Sequence, residues 1–417
     1  MTCPPLRGAA VTLLLAVASA ALAAEPDRAL LAASQAAQPA VVESLREMVA
    51  IESGTMDAAG LSRMADWSEA RLKSLGLQVE RRKPAAGKGE ILIGRLDGSG
   101  QRKLMLIAHM DTVYQPGILA TQPIKLDGNR LYGPGIADDK GGMAVILHSL
   151  GILRDAGWKD YARLTVVFNG DEESQSAGSG ETIAALGAEH DVVLSYEPNP
   201  AKTMAKAEGV LLGAAGTAEA TMNVKGKASH AGAAPDQGRN ALVEMAHQVL
   251  LTAELAKGIP GAQLNWTRAE AGHTRNQIPY EARAFADVRL TATDAADKLL
   301  IALNVKAQEH RVADTEVSYS LAIGRPPFVG DARTLALAGR AKVIYTELDG
   351  RALQFIPGTG AGTDAGFASR SGKPAVLESL GLSGWGYHAK DEYIEIDSIV
   401  PRLYLTMRLL TDLGKER

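Results

Sequence analysis

Short apolar segments that end in histidine or acidic residues constrain the fold of this chain more than any other feature of its sequence. They are Leu104–Ala108 before His109 and Asp111, Thr165–Phe168 before Asp171–Glu173, and Val192–Tyr196 before Glu197. Dense apolar runs of this length predict buried strands. Because α/β proteins bind their ligands beyond the carboxyl ends of their strands, the pattern predicts a polar site at one edge of a sheet.

Helical and strand patterns alternate along most of the chain. The strands are predicted at Glu90–Leu96, Lys103–Ala108, Arg163–Phe168, Asp191–Tyr196 and Ala375–Leu377, and the helical segments at Pro39–Leu77, Gly142–Asp155 and Ile399–Leu413. Strands that alternate with helices predict an α/β fold with a largely parallel sheet.

The pattern changes between residues 216 and 324. In order, this stretch predicts a strand at Thr217–Val224, a helix at Ala241–Ala256, strands at Gln263–Ala271 and Glu281–Leu290, a helix at Ala295–His310 and a strand at Thr315–Ile323. The order β-α-β-β-α-β is the split ferredoxin-like α+β arrangement. The sequence therefore predicts an α/β domain made of residues 24–215 and 325–417, interrupted by a smaller domain at 216–324.

The first 23 residues are typical of a secretory signal peptide. Arg7 precedes an apolar stretch at residues 9–22, and Ala21–Ala23 supplies small residues for cleavage. A membrane anchor is the alternative, but the stretch is short for a bilayer span. The sequence predicts export to the periplasm or the medium, with no membrane attachment after cleavage. Cys3, the one cysteine, lies in this segment, so the mature chain would have no thiol nucleophile and no disulfide.

The charge of the chain argues against nucleic acid as a partner. Its formal net charge is −4, and it contains no long basic run. A protein that binds a phosphate backbone needs clustered lysine and arginine to neutralise it.

His109 and Asp111 are two residues apart at the end of a predicted strand. Side chains at i and i+2 of a strand point the same way, so Asp111 can accept a hydrogen bond from the imidazole nitrogen that does not bind metal. On these two residues alone, a strand that ends in a polar turn is an equally good interpretation.

The glycine-rich loop Gly133–Gly142 places Asp138 beside Asp139 just before a predicted helix. One interpretation is a helix cap; another is a carboxylate that bridges two metal ions.

The acidic run Asp171–Glu173 follows a predicted strand. Three carboxylates at a strand end repel one another and need cations. One of Glu172 and Glu173 can bind a metal ion while the other reaches a metal-bound water molecule. His388 follows a glycine-containing loop that can return it to the sheet edge. Histidine and carboxylate ligands without cysteine are typical of a hydrolytic zinc site.

In four segments the chain resembles the co-catalytic zinc metallopeptidases of the glutamate carboxypeptidase (carboxypeptidase G) type. They are His109–Val113, Gly133–Gly142, Asp171–Glu173 and Lys225–Gly232. The resemblance implies a zinc-peptidase-like catalytic domain with an inserted ferredoxin-like lid and dimerisation domain, and two Zn²⁺ per chain. It implies that His109, Asp138 and Glu197 hold one zinc ion, that Asp138, Glu173 and His388 hold the other, that Asp111 orients His109 and that Glu172 is the general base.

The same resemblance assigns residues of the smaller domain to the substrate. It implies that His230 stabilises the developing oxyanion across a homodimer, and that a substrate with a free carboxylate is recognised by Asn276, Arg289, Arg325 and the loop Gly360–Thr363. From Arg289 alone, an internal salt bridge is an equally open interpretation. A lysine and an arginine of the family pattern are absent near Leu211 and at Gly358. Lys202 or Lys206 is an alternative source of the missing lysine, so the leaving amino acid stays open.

We therefore expect a metallo-carboxypeptidase that releases a C-terminal amino acid, with glutamate as the predicted one, from a peptide or N-acyl amino acid. The alternatives are a dipeptidase or N-acyl amino acid deacylase of other specificity, and a periplasmic binding protein without activity. Glu172 argues against the last, because pure binding does not need a general base.

Overall fold

The computed structural model describes residues 25–416. The predicted signal peptide, residues 1–23, lies outside the described residues. Within residues 25–416, no helix is long and apolar enough to cross a membrane.

The helices of the described chain are numbered in chain order. They are α1 (Arg28–Ala50), α2 (Ala58–Ser74), α3 (Lys140–Asp155), α4 (Gly180–Glu189), α5 (Ala241–Thr252), α6 (Ala295–Lys306), α7 (Ala332–Thr346), α8 (Ala365–Ser369) and α9 (Ile399–Gly414). Short 3₁₀ turns also occur, among them Glu172–Ser174.

The strands are numbered in the same way. They are β1 (Gln78–Arg82), β2 (Ile91–Asp97), β3 (Lys103–His109), β4 (Lys125–Asp127), β5 (Arg130–Tyr132), β6 (Arg163–Asn169), β7 (Val192–Ser195), β8 (Asn199–Pro200), β9 (Gly209–Leu211), β10 (Gly213–Ala214), β11 (Gly216–Lys225), β12 (Ala262–Ala271), β13 (Glu281–Leu290), β14 (Glu316–Arg325), β15 (Phe328–Val329), β16 (Gln354–Ile356), β17 (Ala375–Leu377), β18 (Ser383–Trp385) and β19 (Tyr393–Glu395).

The largest sheet is mixed, with a parallel core. Its strand order is β1-β2-β6-β3-β7-β17. The last four strands in this order are mutually parallel, whereas β2 is antiparallel to both of its neighbours. The predicted mixed α/β class is confirmed. Because β3, β6, β7 and β17 run in the same direction, the residues that follow them meet at one edge.

Both faces of this sheet are covered by helices. On one face, Leu106, Val166 and Leu194 pack in a core that includes residues of α1, α3 and α9. On the other, Met105 and Val167 pack with residues of α4 and α8. Burial on both faces explains why these strands are continuously apolar instead of alternating.

Residues 216–325, called the inserted region below, form a separate antiparallel sheet of order β12-β13-β11-β14. Burial alternates along β13, with Ala284, Ala286 and Val288 facing α5 and α6. The elements follow the predicted order β-α-β-β-α-β, and the region has its own apolar cluster around Met222 and Leu299. The remaining described residues, 25–215 and 326–416, are called the main region.

The predicted helical segment from Pro39 to Leu77 is two helices in the structure, α1 and α2, with an irregular stretch between them. Tertiary contacts account for the break. The Ser53 hydroxyl donates to the carbonyl oxygen of Met110 at 2.8 Å, and Gly54 packs so closely on the Tyr114 carbonyl that a Cβ would overlap it. This stretch therefore lies along the chain that follows β3, close to the strand edge.

Candidate metal centre

Asp138 lies between two histidines at the carboxyl edge of the main sheet. Its Oδ1 is 3.0 Å from Nε2 of His109, the last residue of β3. Its Oδ2 is 3.3 Å from Nε2 of His388, in the loop after β18. Each oxygen of this carboxylate thus faces a different imidazole, which is the arrangement that a bridging ligand of two cations requires.

Glutamates complete a group on each side of Asp138. Oε2 of Glu173 is 3.2 Å from Nε2 of His388, and Oε1 of Glu197 is 3.9 Å from Nε2 of His109. Ligand atoms of His109, Asp138 and Glu173 lie within 4.8 Å of one another, and so do those of His109, Glu172 and Glu197. The structure therefore brings together all five predicted ligands and the predicted base.

The two other aspartates of these motifs hold the backbone around the site. Asp111 accepts the N–H groups of Glu172 and Glu173 at 3.0 and 3.1 Å, and its Oδ1 is 3.4 Å from Nδ1 of His109. Asp139 accepts the N–H of Gly142 at 3.1 Å and so caps α3. Both interpretations of the acidic pair therefore fit the structure: Asp139 is the helix cap, and Asp138 faces the histidines.

The electrostatics of the cluster favour cations. Burial raises the pKa of Glu172 to about 8, and burial followed by the charge of Glu172 raises the pKa of Glu197 well above its usual value. Hydrogen bonds to Asp138 and Glu173 raise the pKa of His388 to about 10. Several acids buried together in this way repel one another unless a cation neutralises them.

The donor set fits zinc. It consists of imidazole nitrogens and carboxylate oxygens, with an aspartate whose two oxygens face opposite sides, and no thiolate takes part. Such sets are typical of hydrolytic zinc centres, and they also accept other divalent metals. The described residues thus form a metal-binding cluster.

Glu392 supports the site and was missed at the level of sequence. Its carboxylate, fully buried, accepts the N–H groups of Gly135, Ala137 and Asp138 at 2.7, 2.9 and 3.0 Å. The Tyr114 hydroxyl lies 2.7 Å from the same carboxylate. Glu392 therefore shapes the loop that carries Asp138. The one available signal was an acidic residue shortly after His388, which is too common to be assigned a role.

A cavity of about 390 Å³ adjoins the cluster. Its polar wall contains Asp138, Glu172, Glu173, Glu197 and His388, and its other walls include Leu211, Ile356, Gly358, Thr363 and Trp385. Of the predicted substrate loop, Thr363 lines the cavity and donates to Glu378 at 3.3 Å. Gly360 is exposed near the tip of that loop.

Arg325 contacts the predicted base itself. Its Nη1 is 2.6 Å from Oε1 of Glu172, and its Nη2 donates to the backbone oxygen of Glu172 at 2.6 Å. Arg325 is only 4% exposed. In this structure the guanidinium group is therefore engaged with the protein, although the sequence predicted that it recognises substrate.

The other predicted residues of the inserted region make contacts within that region. Nδ1 of His230 accepts the N–H of Gly232 at 3.1 Å, and Asn276 accepts the N–H of Ala231 through its backbone oxygen at 2.9 Å. Nε of Arg289 donates to Asp287 at 3.0 Å, an internal salt bridge as considered above. His230, Asn276 and Arg289 do not line the cavity, and their roles toward substrate stay predictions.

The fold and the cluster define a mixed α/β protein of the metal-dependent hydrolase class, with its metal-binding centre at the sheet edge. A sequence model of peptidase family M20/M25/M40 matches residues 105–412. The chain belongs to this family.

Two curated relatives match over nearly their whole length. Carboxypeptidase G2 of Pseudomonas sp. (strain RS-16) is 44% identical over 416 residues, which cover 99% of each chain. Succinyl-diaminopimelate desuccinylase of Stenotrophomonas maltophilia is 28% identical over 402 residues, which cover 89% of this chain and 99% of that one.

Solved structures share the fold. Aminopeptidase PepT of Bacillus cereus superimposes with a TM-score of 0.71 at 20% identity and covers 91% of this chain and 99% of its own. YxeP of Bacillus subtilis, described as a dinuclear metal-binding peptidase of family M20, gives a TM-score of 0.66 at 14% identity and covers 92% and 99%. The predicted family and the predicted enzyme class, a metal-dependent hydrolase of the carboxypeptidase type, are confirmed.

Proposed function

We propose that this protein is an exported carboxypeptidase that uses two zinc ions per chain to release a C-terminal amino acid, with glutamate as the predicted one, from a peptide or N-acyl amino acid. One observation carries the proposal: the two oxygens of Asp138 face His109 and His388 at 3.0 and 3.3 Å. A carboxylate placed in this way suits a pair of cations that share one ligand.

The distances support one ligand set on each side of Asp138. His109 and Glu197 would hold one zinc ion with Asp138, and Glu173 and His388 would hold the other. Bound zinc would polarise the scissile carbonyl and lower the pKa of the attacking water. Glu172 lies within ligand distance of His109 and Glu197, but Asp138 completes the set with those two residues in this assignment. The carboxylate of Glu172 is therefore the candidate to accept the proton of the water and pass it to the leaving amine.

Features of the cavity bear on which amino acid leaves. Leu211 and Gly358 line the cavity. The glutamate carboxypeptidase pattern has a lysine near the first position and an arginine at the second. Without these cations a second carboxylate in the leaving amino acid has fewer partners. This observation favours, as a second candidate, a carboxypeptidase or deacylase that releases a neutral amino acid.

Export and dimer formation are further parts of the proposal. Export rests on the signal-peptide pattern of residues 1–23. A homodimer is supported by exposed apolar side chains on the helices of the inserted region, where Leu250 and Ile301 are 79% and 65% exposed. The helices α5 and α6 are adjacent, and a contiguous exposed apolar surface, unlike a single exposed side chain, is typical of sites that bind another protein. Light scattering of the purified protein tests it: a monomer at micromolar concentration would contradict the dimer.

Hydrolysis assays test the catalytic proposal. The purified protein is assayed with N-acyl amino acids that differ only in the C-terminal residue, glutamate, alanine and leucine among them. We expect turnover that a chelator removes and that added Zn²⁺ restores. Glu172→Gln should lower kcat by at least about 1000-fold while zinc content stays at two per chain, because the amide cannot accept a proton.

Different outcomes separate the alternatives. Preference for glutamate supports the predicted leaving amino acid, and preference for leucine or alanine supports the second candidate. Zinc loss in Glu172→Gln would show that Glu172 is a ligand. Zinc binding without turnover on any substrate would favour the binding-protein alternative.

A further inference from the structure

The inserted region joins the main region through two chain segments that lie side by side. One leads into Gly216 at the start of β11, and the other follows Arg325 at the end of β14; Thr217 and Arg325 are paired in the sheet. On one side of these segments, a cavity of about 400 Å³ separates Leu290 and Ala296 of the inserted region from the main region. Two adjacent crossings beside an open space can serve as a hinge, and these two segments are called the hinge below.

This hinge contacts the turn that carries the predicted base. Nη2 of Arg325 donates to the Glu172 backbone oxygen at 2.6 Å and to the Ser176 hydroxyl at 3.2 Å. The Thr217 hydroxyl donates to Oε1 of Gln175 at 3.2 Å. Gly324 packs so closely on the Gln175 side chain that a Cβ would overlap it. Both hinge strands therefore touch the segment from Glu172 to Ser176.

The ion pair between Arg325 and Glu172 is buried but incompletely bonded. The two side chains are 5% and 8% exposed, with 2.6 Å between Nη1 and Oε1. Despite this short distance, Oε1 of Glu172 accepts no hydrogen bond of acceptable angle in the described chain. Nε of Arg325 likewise has no hydrogen-bond partner there. A structural salt bridge at this depth normally has all of its polar atoms satisfied. The ion pair therefore differs from a fully satisfied structural salt bridge.

We propose that Arg325 is a positioning residue that couples the orientation of the Glu172 carboxylate to the position of the inserted region. In the arrangement seen here, the guanidinium holds the carboxylate and competes with the attacking water for it. Rotation of the inserted region about the hinge moves the end of β14, separates Arg325 from Glu172 and frees the base.

The coupling would make the base available only after the inserted region has moved. The role of Glu172 as the base rests on the proposed function; the contact between hinge and turn does not.

A double-mutant cycle tests the coupling. It measures the position of the inserted region by energy transfer and needs no substrate turnover. Donor and acceptor dyes are attached to cysteines at Glu316→Cys in β14 and Val343→Cys in α7, where the native Glu316 side chain is 80% exposed and Val343 is 59% exposed. The protein is produced without residues 1–23, which removes Cys3 and makes the labelling specific. Energy transfer in the zinc-loaded protein, without substrate, is compared for Arg325→Gln, Glu172→Gln and the double variant.

We expect each single substitution to shift the ratio of open to closed forms about fivefold or more, and the double variant to shift it no further. Arg239→Gln is the matched control, since Arg239 pairs with Asp314 at 2.9 Å within the inserted region, and it should leave the ratio unchanged. Gln175→Ala should shift it in the same direction by a smaller factor.

Kinetics give a second, independent measurement. Because the ion pair withholds the base, Arg325→Gln should keep kcat at or above its wild-type value without raising KM, and Arg325→Lys, which can keep the pair, should stay close to wild type. Wild-type energy transfer in Arg325→Gln, together with a raised KM, would overturn the proposal and assign Arg325 to the substrate. If Arg325→Gln does not fold, Arg325→Lys and Gln175→Ala decide the same question. Because energy transfer needs no hydrolysis, a failure of the proposed function would be recognised separately.

Discussion

Asp138 and Asp139 are neighbours with the same side chain but different surroundings. Asp138 faces His109 and His388, whereas Asp139 caps α3 and accepts the N–H of His109 at 3.2 Å. The surroundings of Asp138 suit a cation, whereas Asp139 accepts hydrogen bonds from backbone N–H groups. At the residue scale, chemical role is therefore decided by contacts and not by residue type.

Substitution of the two aspartates should separate these roles. Asp138→Asn is expected to lower zinc content and to reduce kcat/KM by at least about 100-fold, because the amide offers one oxygen where two are needed. Asp139→Asn should keep both zinc ions and lose about 1 kcal/mol of stability, because asparagine can still cap α3 but its amide nitrogen cannot accept the N–H of His109. Metal analysis and urea unfolding measure both effects. Equal zinc loss in the two variants would contradict the assignment.

Glu392 acts on the metal centre through the backbone of the Gly133–Asp138 loop. Glu392→Gln replaces one of the two acceptor oxygens by an amide nitrogen, so that either the N–H of Gly135 or those of Ala137 and Asp138 lose their acceptor. We expect zinc affinity to fall about 10- to 100-fold, measured by competition with a chelating dye.

A buried glutamate away from the site provides the control for Glu392. Glu347 is 8% exposed and pairs with Arg408 at 3.1 Å. Glu347→Gln should reduce stability and leave zinc affinity unchanged. If the two variants bind zinc equally well, Glu392 is not a positioning residue.

At the scale of elements, the packing of α3 against α1 contains a titratable group. Nε2 of His148 in α3 is 2.9 Å from the Ser44 hydroxyl in α1. Burial, with a contribution from the charge of Arg71, lowers the pKa of His148 to about 4. The unfolded chain has a histidine pKa near its ordinary value of about 6.5 and so binds the proton first as the pH falls.

The contact between α1 and α3 should therefore weaken in acid. The free energy of unfolding is expected to fall by roughly 2 kcal/mol from this group as the pH decreases from about 6.5 to about 4. His148→Gln removes the titrating group and keeps a hydrogen-bond partner for Ser44. The free energy of unfolding of this variant should therefore fall less over the same pH range, by the roughly 2 kcal/mol that His148 contributes. Urea unfolding at pH 7.0 and 4.5 compares the two proteins; equal losses would exclude His148 as the cause.

The break between α1 and α2 shows how an element boundary is set by its surroundings. Helical spacing continues from Pro39 to Leu77, yet the helix ends at Ala50 because Ser53 and Gly54 pack against the chain after β3. By contrast, the strands β2, β3 and β6 lie within one residue of their predicted limits. A buried strand is defined by its own apolar run, whereas a helix end depends on what it meets.

On the scale of the whole molecule, the metal centre connects segments that are distant in sequence. The loop that carries Asp138, the end of β3 and the loop after β18 all supply ligand-type residues to one cluster. Bound metal would join these segments, and a ligand that binds only the folded state stabilises it.

Removal of metal should therefore lower the thermal midpoint. For zinc at about 1000 times its Kd, we expect chelation to lower Tm on the order of 5 °C or more. Differential scanning calorimetry with and without chelator measures the shift, and re-addition of Zn²⁺ should reverse it. In Asp138→Asn the same chelator should change Tm little; a similar shift in that variant would place the stabilising metal elsewhere.

The sequence determined the parallel strands of the main sheet, the α/β class and, through the resemblance to the zinc metallopeptidases, the residues of the metal cluster. It could do so because an apolar run that ends in histidine or acid is a local pattern, and parallel strands bring such ends to one edge. The order of elements in the inserted region was predictable for the same reason.

Only the tertiary structure decided which partners these residues have. Arg325 contacts Glu172 across 153 positions of sequence, and Glu392 bonds to the Asp138 loop across 254. No local pattern encodes such contacts, because they depend on how the strands are ordered and where the hinge lies. The types of the single residues determine which chemistry the site can perform, whereas its geometry arises only when the sheets have formed.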